Sequence, residues 1–134
     1  MTLADITLGD CTVECHTVRD RFKEIVVFDA QVCEFRSGFL VTGQPKCTGR
    51  CDARTECKPS VTYSWAIVKQ TPANSATIVG SSTGRTVKVR GTVLLGRYVL
   101  ELTVTLQCKC GDKAVGAPLV RVKTKEFLVN QNCH

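Results

Sequence analysis

Residues 96–111 read GRYVLELTVTLQCKCG, and the centre of this stretch has an apolar residue at every second position. A period of two, running here from Leu100 to Leu106, places one face of an extended strand in a core and the other face in water. Cys108 and Cys110 continue the parity of the leucines, so their sulfur atoms are expected on the core side or just beyond it. The pattern predicts a long antiparallel strand that is both the centre of the core and an anchor for cross-links.

Four further segments alternate or are rich in β-branched and aromatic residues, and none has a sustained period of 3.6. The predicted strands are 24–35, 61–68, 86–90 and 119–129, with a shorter one at 76–79. The parity of 61–68 puts Trp65 among apolar neighbours, which favours a core tryptophan over a ligand platform. The chain is therefore predicted to be all-β, with almost no helix.

The length of 134 residues predicts one domain with a two-layer core. No apolar run approaches the roughly 20 residues that a membrane-spanning helix needs, so no membrane span is expected. The first residues, MTLADITLGD, lack the basic and apolar regions of a secretory signal. An export route is therefore not visible in the sequence.

The chain contains nine cysteines, and none of them forms a CxxC pair. This abundance favours disulfides and an oxidising location, extracellular or on the surface of a particle or cell. Buried reduced thiols and structural zinc are the alternatives. The zinc ligands would be Cys47, Cys51 and Cys57, together either with Cys108 and Cys110 or with His16 beside Cys15. Because nine is odd, four bridges within the chain leave one cysteine for pairing between chains. The disulfide candidates are Cys11, Cys15, Cys33, Cys47, Cys51, Cys57, Cys108, Cys110 and Cys133.

Residues 43–60, GQPKCTGRCDARTECKPS, cannot belong to a core, since they combine glycine, proline and six charged residues. A long loop without secondary structure in a compact domain is usually functional or disordered. The three cysteines add another explanation, which is a covalently stapled crossover. A binding surface and a stapled crossover both remain possible interpretations of this loop.

The net charge of +6 is unevenly distributed, since residues 1–35 carry −4 and the rest of the chain +10. Residues 1–23 have little apolar surface and are predicted to form an extended arm, followed by a single domain over 24–134. The basic residues alternate along strands and are expected on solvated outward faces, as at Lys88 and Arg90 and at Arg121, Lys123 and Lys125. We expect the acidic arm to lie across a basic sheet edge, either of its own chain or, as the odd cysteine favours, of the next copy. The low aromatic content argues against single-stranded nucleic acid as a partner.

No catalytic motif is recognisable. The two histidines, His16 and His134, lie near the termini, and neither has a serine or carboxylate partner at a spacing that suggests a triad. Phosphate-binding loops and metalloprotease or EF-hand patterns do not occur. We therefore expect a protein that is not an enzyme and that needs no cofactor.

The order of the segments from Val61 to Lys123 resembles a polycystic-kidney-disease (PKD) type immunoglobulin-like domain. The matching pieces are Tyr63, Ser64 and Trp65; Thr86, Val87, Lys88 and Val89; Gly96, Tyr98, Leu100, Leu102, Thr103 and Val104; Gly111; and Val120 and Val122. The resemblance implies a seven-strand antiparallel β-sandwich with Trp65 over the core between the sheets and Tyr98 near the start of the long strand. The cysteine-rich loop and the N-terminal arm are additions to that family pattern.

Two classes of function fit these features. The first is a structural protein, a self-associating subunit of a virus particle, spore or cell-surface fibre that disulfides stabilise. The second is a secreted or cell-surface module for binding or adhesion that uses the 43–60 loop. The uneven charge and the odd cysteine favour the first, with other copies of the chain or a neighbouring structural protein as partners.

Overall fold

The computed structural model describes residues 2–40, 47 and 57–133, and in these ranges it contains strands and no helix. This confirms the all-β prediction. The strands are β1 (Thr2–Asp20), β2 (Lys23–Leu40), β3 (Lys58–Thr71), β4 (Ala76–Val79), β5 (Thr86–Gly91), β6 (Arg97–Cys110) and β7 (Lys113–Leu128). Most are longer than the sequence predicts. β7, for example, begins directly after the turn at Gly111 and Asp112 and not at residue 119, because it pairs with β6 over almost its full length.

The strands form two antiparallel sheets, one with the order β1-β2-β5-β4 and the other with the order β3-β6-β7. Constant-type immunoglobulin domains have seven strands, A to G, in two sheets with the orders A-B-E-D and C-F-G. Numbered 1 to 7 along the chain, these are the same two orders. The two-sheet arrangement is the predicted β-sandwich. The immunoglobulin-like type and the kinship with PKD-type domains stay predictions.

The core is built around β6, as its alternation predicts. Leu100, Leu102 and Val104 are fully buried, and Leu106 is nearly so. In the register of β3 with β6, Trp65 lies opposite Leu102, and its Nε1 donates a hydrogen bond to the Gly84 carbonyl at 2.8 Å. The opposite sheet contributes Phe35, Val87 and Val89 to the same cluster. The prediction that the inner face of β6 and Trp65 share one core is confirmed for Leu100, Leu102 and Val104, whereas Leu106 is buried but lies outside this cluster.

An aromatic cluster connects β2 with β6 and β7. The ring of Phe35 meets that of Tyr98 edge-on, with centroids 6.2 Å apart, and lies 4.4 Å from that of Phe127. Such ring pairs stabilise a core beyond the apolar area that they bury, so this cluster helps to hold the two sheets together. Burial also raises the pKa of the Tyr98 phenol well above its usual range, since the phenolate would lose its hydration.

The N-terminal segment is the first strand of the first sheet. β1 pairs with β2 of its own chain from Thr2 to Asp20, and Ile6 is buried in the core. Of the two predicted placements, the structure has the one within the same chain and not the favoured one on a neighbouring copy, because β2 is long enough to pair with all of this segment. The predicted division between 1–23 and 24–134 falls at the turn of the β1–β2 hairpin.

The basic residues of β7 do not lie on the outward face of the sheet. Arg121, Lys123 and Lys125 pair with Val104, Leu102 and Leu100 of β6, and directly opposite residues of an antiparallel pair project from the same face. The sequence prediction for these three side chains is corrected. They are nevertheless exposed, because β7 is an edge strand and the inner face of the sandwich is open there.

Candidate functional site

The β1–β2 hairpin projects beyond the rest of the sandwich. β2 pairs with β5 between Gln31 and Arg36, so among the described strands the segment of β2 from Lys23 to Ala30 has only β1 as a neighbour. At about 3.3 Å per residue this segment extends for roughly 25 Å. Phe28 packs against the core at the base of the projection. The outer part, from His16 to Val27, forms a two-stranded ribbon that we call the hairpin tip.

The hairpin tip exposes apolar side chains on both faces and at its end. Phe22, in the two-residue turn, is 96% exposed, and its N–H donates to the Asp20 carbonyl. Val18 and Ile25 lie opposite each other on one face, and Val26 lies on the other; their side chains are 42% to 47% exposed. A two-stranded ribbon without a covering layer has marginal stability in water. The tip is therefore a surface on which a partner would bury apolar area.

Polar groups surround these apolar side chains. Arg19 and Glu24 occupy opposite positions in the ribbon, as do Asp20 and Lys23. The Nδ1 atom of His16 lies 2.6 Å from Oδ1 of Asp29. An apolar centre with a charged rim is the arrangement found in protein interaction surfaces.

Covalent and polar contacts hold the base of the hairpin. The Cys11–Cys33 disulfide joins β1 to β2, and the Cys15–Cys133 disulfide joins β1 to the C-terminal tail. The guanidinium of Arg90 on β5 lies 3.1 Å from the Glu14 carboxylate. The acidic N-terminal segment thus finds one of its basic partners within its own chain.

Gln31 fixes the tail against the base of the hairpin. Its Oε1 accepts hydrogen bonds from the backbone N–H groups of Asn130 and Gln131, at 3.0 and 3.5 Å, and its Nε2 donates to the sulfur of Cys33 at 3.1 Å. A buried polar side chain needs such partners, since an unsatisfied amide would destabilise the fold. The ribbon therefore projects from an ordered base.

Seven of the nine predicted disulfide candidates form disulfides. A third bridge joins Cys47 to Cys108, and Cys110 is also disulfide-bonded. Cys57 is 8% exposed, and its sulfur lies 3.5 Å from that of Cys110. This buried position is unsuited to a bridge with another chain. Cys51 lies outside the described residues.

Most of the alternative zinc ligands are used in these bridges. A sulfur in a disulfide is not the thiolate that zinc requires, and Cys15, Cys47, Cys108 and Cys110 are all disulfide-bonded. Within residues 2–40, 47 and 57–133, no group of three or more His, Cys, Asp or Glu side chains is arranged to hold a metal ion. Several disulfides point instead to an oxidising, extracellular environment.

An open cleft of about 260 Å³ lies at the side of the sandwich between β1 and β7. Its apolar walls include Leu8, Phe35 and Phe127, and its carboxylate, Glu126, lies 3.3 Å from the guanidinium of Arg97. Neither a histidine nor a serine or threonine lines it, and its hydroxyl group is the phenol of the buried Tyr98. The expectation that the protein is not an enzyme stays a prediction.

The sequence analysis did not single out Phe22. The turn that carries it consists of Arg21 and Phe22, whereas two-residue hairpin turns usually contain glycine or asparagine. Arg21 adopts a positive φ of 33° in this turn. The one available signal is a large aromatic residue between charged residues, in a run too short for a helix. The other candidate surface, the 43–60 loop, lies outside the described residues except for Cys47 and 57–60, so its binding role stays a prediction.

Comparison of the chain with protein-family models, curated proteins and solved structures finds no match. The described part of the chain also has no helix that is long and apolar enough to cross a membrane.

Proposed function

We propose that this protein is a non-enzymatic structural protein, a self-associating subunit of an extracellular assembly such as a virus particle, spore or cell-surface fibre. The observation that carries the proposal is the hairpin tip, where Phe22 is 96% exposed at the end of a ribbon with apolar side chains on both faces. The disulfides add support, because they suit a protein that works in an oxidising environment.

The physical argument concerns burial. Removing apolar surface from water contributes roughly 25 cal/mol per Å², so an ordered tip that meets a second surface gains free energy on contact. Two disulfides already fix the base of the ribbon, so binding has to order only the hairpin tip, and the entropy cost is smaller than for a ribbon without these bridges. Contact between two tips would give a closed dimer, whereas contact between a tip and another surface of the next copy would give a ring or a filament.

The test is sedimentation velocity of the oxidised protein over a concentration series. The tip variant combines Phe22→Ser, Val18→Thr and Ile25→Thr, which remove apolar surface without touching the core. We expect the wild-type chain to form dimers or larger species that the variant loses. The control variant combines Val68→Thr and Val79→Thr, two comparably exposed valines on β3 and β4, and should associate like the wild type.

Circular dichroism and Trp65 fluorescence verify that each variant is folded. A wild-type chain that remains monomeric throughout the series would refute the proposal. Association that the tip variant retains in full would refute the role of the hairpin.

A further inference from the structure

We propose that the cleft between β1 and β7 is a binding site for a small, uncharged aromatic molecule that carries a hydrogen-bond acceptor. The molecule would lie against the ring of Phe127 and accept a hydrogen bond from the phenol of Tyr98. This site is separate from the hairpin tip, and binding of a small molecule goes beyond the proposed self-association.

The first observation is the size and the apolar lining of the cleft. Its volume of about 260 Å³ exceeds the roughly 150 Å³ of an apolar protein cavity that holds benzene, and it lies just below the usual range for drug-sized ligands. Leu8, Phe35 and Phe127 contribute apolar surface. A single aromatic ring with a short substituent matches this volume and can pack offset or edge-on against the phenylalanine rings.

The second observation is a buried hydrogen-bond donor without a partner at this cleft. Tyr98 lines the cleft and is 4% exposed, and its phenol makes no hydrogen bond with any residue that the structure describes. A buried tyrosine hydroxyl usually has a partner, because an unsatisfied donor destabilises the fold. Gln31, the other buried polar side chain described in the lining, has hydrogen bonds from both of its polar atoms. The phenol is therefore the group that a ligand would satisfy.

The charged side chains described at the cleft already have partners within the chain. The Glu126 carboxylate lies 3.3 Å from the guanidinium of Arg97. The Lys125 ammonium, 5.8 Å from the centroid of the Phe127 ring, donates to the Ile6 carbonyl at 3.5 Å. An ionised ligand would lose hydration in the cleft and would have to compete for these groups. The lining therefore favours an uncharged ligand.

The positions of Tyr98 and Phe127 define the class of ligand. The two residues lie opposite each other in the register of β6 with β7, and their ring centroids are 5.9 Å apart. The donor and the aromatic wall are therefore within reach of one small molecule. Because burial raises the pKa of Tyr98, the phenol stays protonated and donates to an acceptor. A compound with an aromatic ring and an adjacent carbonyl or ether oxygen combines both contacts.

The experiment is an NMR titration of the oxidised full chain, labelled with the heavy nitrogen isotope. Acetophenone supplies a ring with a carbonyl acceptor, and we expect saturable shifts of the amide signals of Phe127, Leu128 and Gln131, with a Kd below about 1 mM. Ethylbenzene has the ring without the acceptor and should shift the same signals. Benzoate has the ring with a charged carboxylate and should bind at least about tenfold more weakly than acetophenone.

The substitution Tyr98→Phe keeps the ring and removes the donor. It should weaken binding of acetophenone by about three- to tenfold, the effect of one hydrogen bond, and leave binding of ethylbenzene unchanged. Unchanged binding of ethylbenzene also verifies that the cleft is intact in this variant. The matched control is Tyr63→Phe, because Tyr63 is the other tyrosine of the chain and lies on β3, across the sheet from β7. This control should bind both compounds like the wild type.

Several results would overturn the proposal. One is a Kd above about 1 mM for acetophenone, or shifts that map to the hairpin tip. Another is an equal effect of Tyr98→Phe on acetophenone and on ethylbenzene, including no effect on either. If Tyr98→Phe does not fold, the location of the shifts and the comparison with benzoate on the wild-type chain still decide, since equal binding of benzoate would contradict a site for uncharged ligands.

The tip variant separates this proposal from the proposed self-association. The variant with Phe22→Ser, Val18→Thr and Ile25→Thr should bind acetophenone like the wild type, because the cleft lies away from the hairpin tip. A chain that stays monomeric and still binds acetophenone would refute self-association and leave the cleft site intact. Loss of acetophenone binding in the tip variant would place the ligand between copies and overturn the proposal.

Discussion

The substitution Gly91→Ala tests how the C-terminal tail is packed against β5. A Cβ atom at this position would lie 2.6 Å from Cγ2 of Val129, closer than real Cβ contacts come. Val129 cannot easily move away. It is 3% exposed, and its backbone is held by hydrogen bonds of 2.9 Å to the Gly96 carbonyl and 2.7 Å from the Leu95 N–H.

Two opposing effects set the magnitude. Forcing an extra methyl group against the rigid, β-branched Val129 destabilises the folded state by about 1–3 kcal/mol. Replacing glycine by alanine also reduces the conformational entropy of the unfolded chain, which stabilises the fold by about 0.4–1 kcal/mol. In the wild-type background we therefore expect Gly91→Ala to lower the free energy of unfolding by about 1–2 kcal/mol. In the Val129→Ala background the clash is removed, and the same substitution should be neutral or stabilise by up to about 1 kcal/mol.

The assay is urea denaturation of the oxidised chain, followed by the fluorescence of the single tryptophan, Trp65. Gly84→Ala is the control, because a Cβ there has its nearest atom, the Thr86 carbonyl oxygen, at an ordinary 3.4 Å. It should change stability by no more than about 0.5 kcal/mol. Equal losses from Gly91→Ala in both backgrounds, or no loss in either, would show that Val129 does not pack on β5.

Three further predictions concern the core, its phenol and the cross-links. Leu102→Ala should lower the free energy of unfolding by about 2–5 kcal/mol, and a loss below about 1 kcal/mol in denaturation would mean that the face of β6 is misassigned. Because burial raises the pKa of Tyr98, the unfolded chain loses the phenol proton near pH 10 while the folded chain keeps it. The free energy of unfolding should therefore be unaffected by this group below about pH 10 and should fall as the pH rises above it. Denaturation curves of the Tyr98→Phe variant should lack this part of the decline at alkaline pH. Intact mass without reductant should be about 8 Da below that of the reduced chain, and an unchanged mass would contradict the disulfides.

Sequence patterns predict the inner strands of this fold better than its edges. The alternation in β6 identifies the core because its inner face is buried along its length, from Tyr98 to Leu106. β1 escapes prediction because its neighbour is β2 and its apolar residues are sparse, so pairing and disulfides stabilise it more than burial does. Arg121 and Lys123 were misplaced for a related reason: alternation reports which residues share a face but not whether that face is covered at the edge of a sandwich.

The hairpin tip and the disulfide connectivity depend on distant contacts that local patterns do not contain. The sequence identifies all nine cysteines as candidates, but their pairing is not deducible from spacing. Cys15 and Cys133, for example, are 118 residues apart. Phe22 is exposed because β2 extends beyond β5. The local sequence around it, RDRFKE at 19–24, does not contain this information.

The Cys15–Cys133 bridge links the proposed function to an oxidising environment. It joins β1 to the C-terminal tail at the base of the ribbon. Because the Cys11–Cys33 and Cys47–Cys108 bridges provide shorter paths along the chain, the loop that it closes contains about 40 residues. For a loop of this length, the lost entropy of the unfolded chain contributes roughly 4 kcal/mol to the free energy of unfolding. Replacing both cysteines with serine should lower stability by that order and weaken self-association, because the ribbon would have to be ordered on contact.

Cys47→Ser with Cys108→Ser is the matched control. It opens a bridge near the far end of β6, away from the hairpin base, so it should lower stability while leaving association unchanged. Sedimentation velocity under native conditions separates the two variants. If both associate like the wild type, the order of the ribbon base does not matter for assembly. If both lose association equally, general destabilisation and not the hairpin explains the loss. The proposal requires that loss of the Cys15–Cys133 bridge weakens association more than loss of the Cys47–Cys108 bridge does. That result would show that a disulfide orders the hairpin tip before binding, and such a disulfide forms outside the reducing interior of a cell.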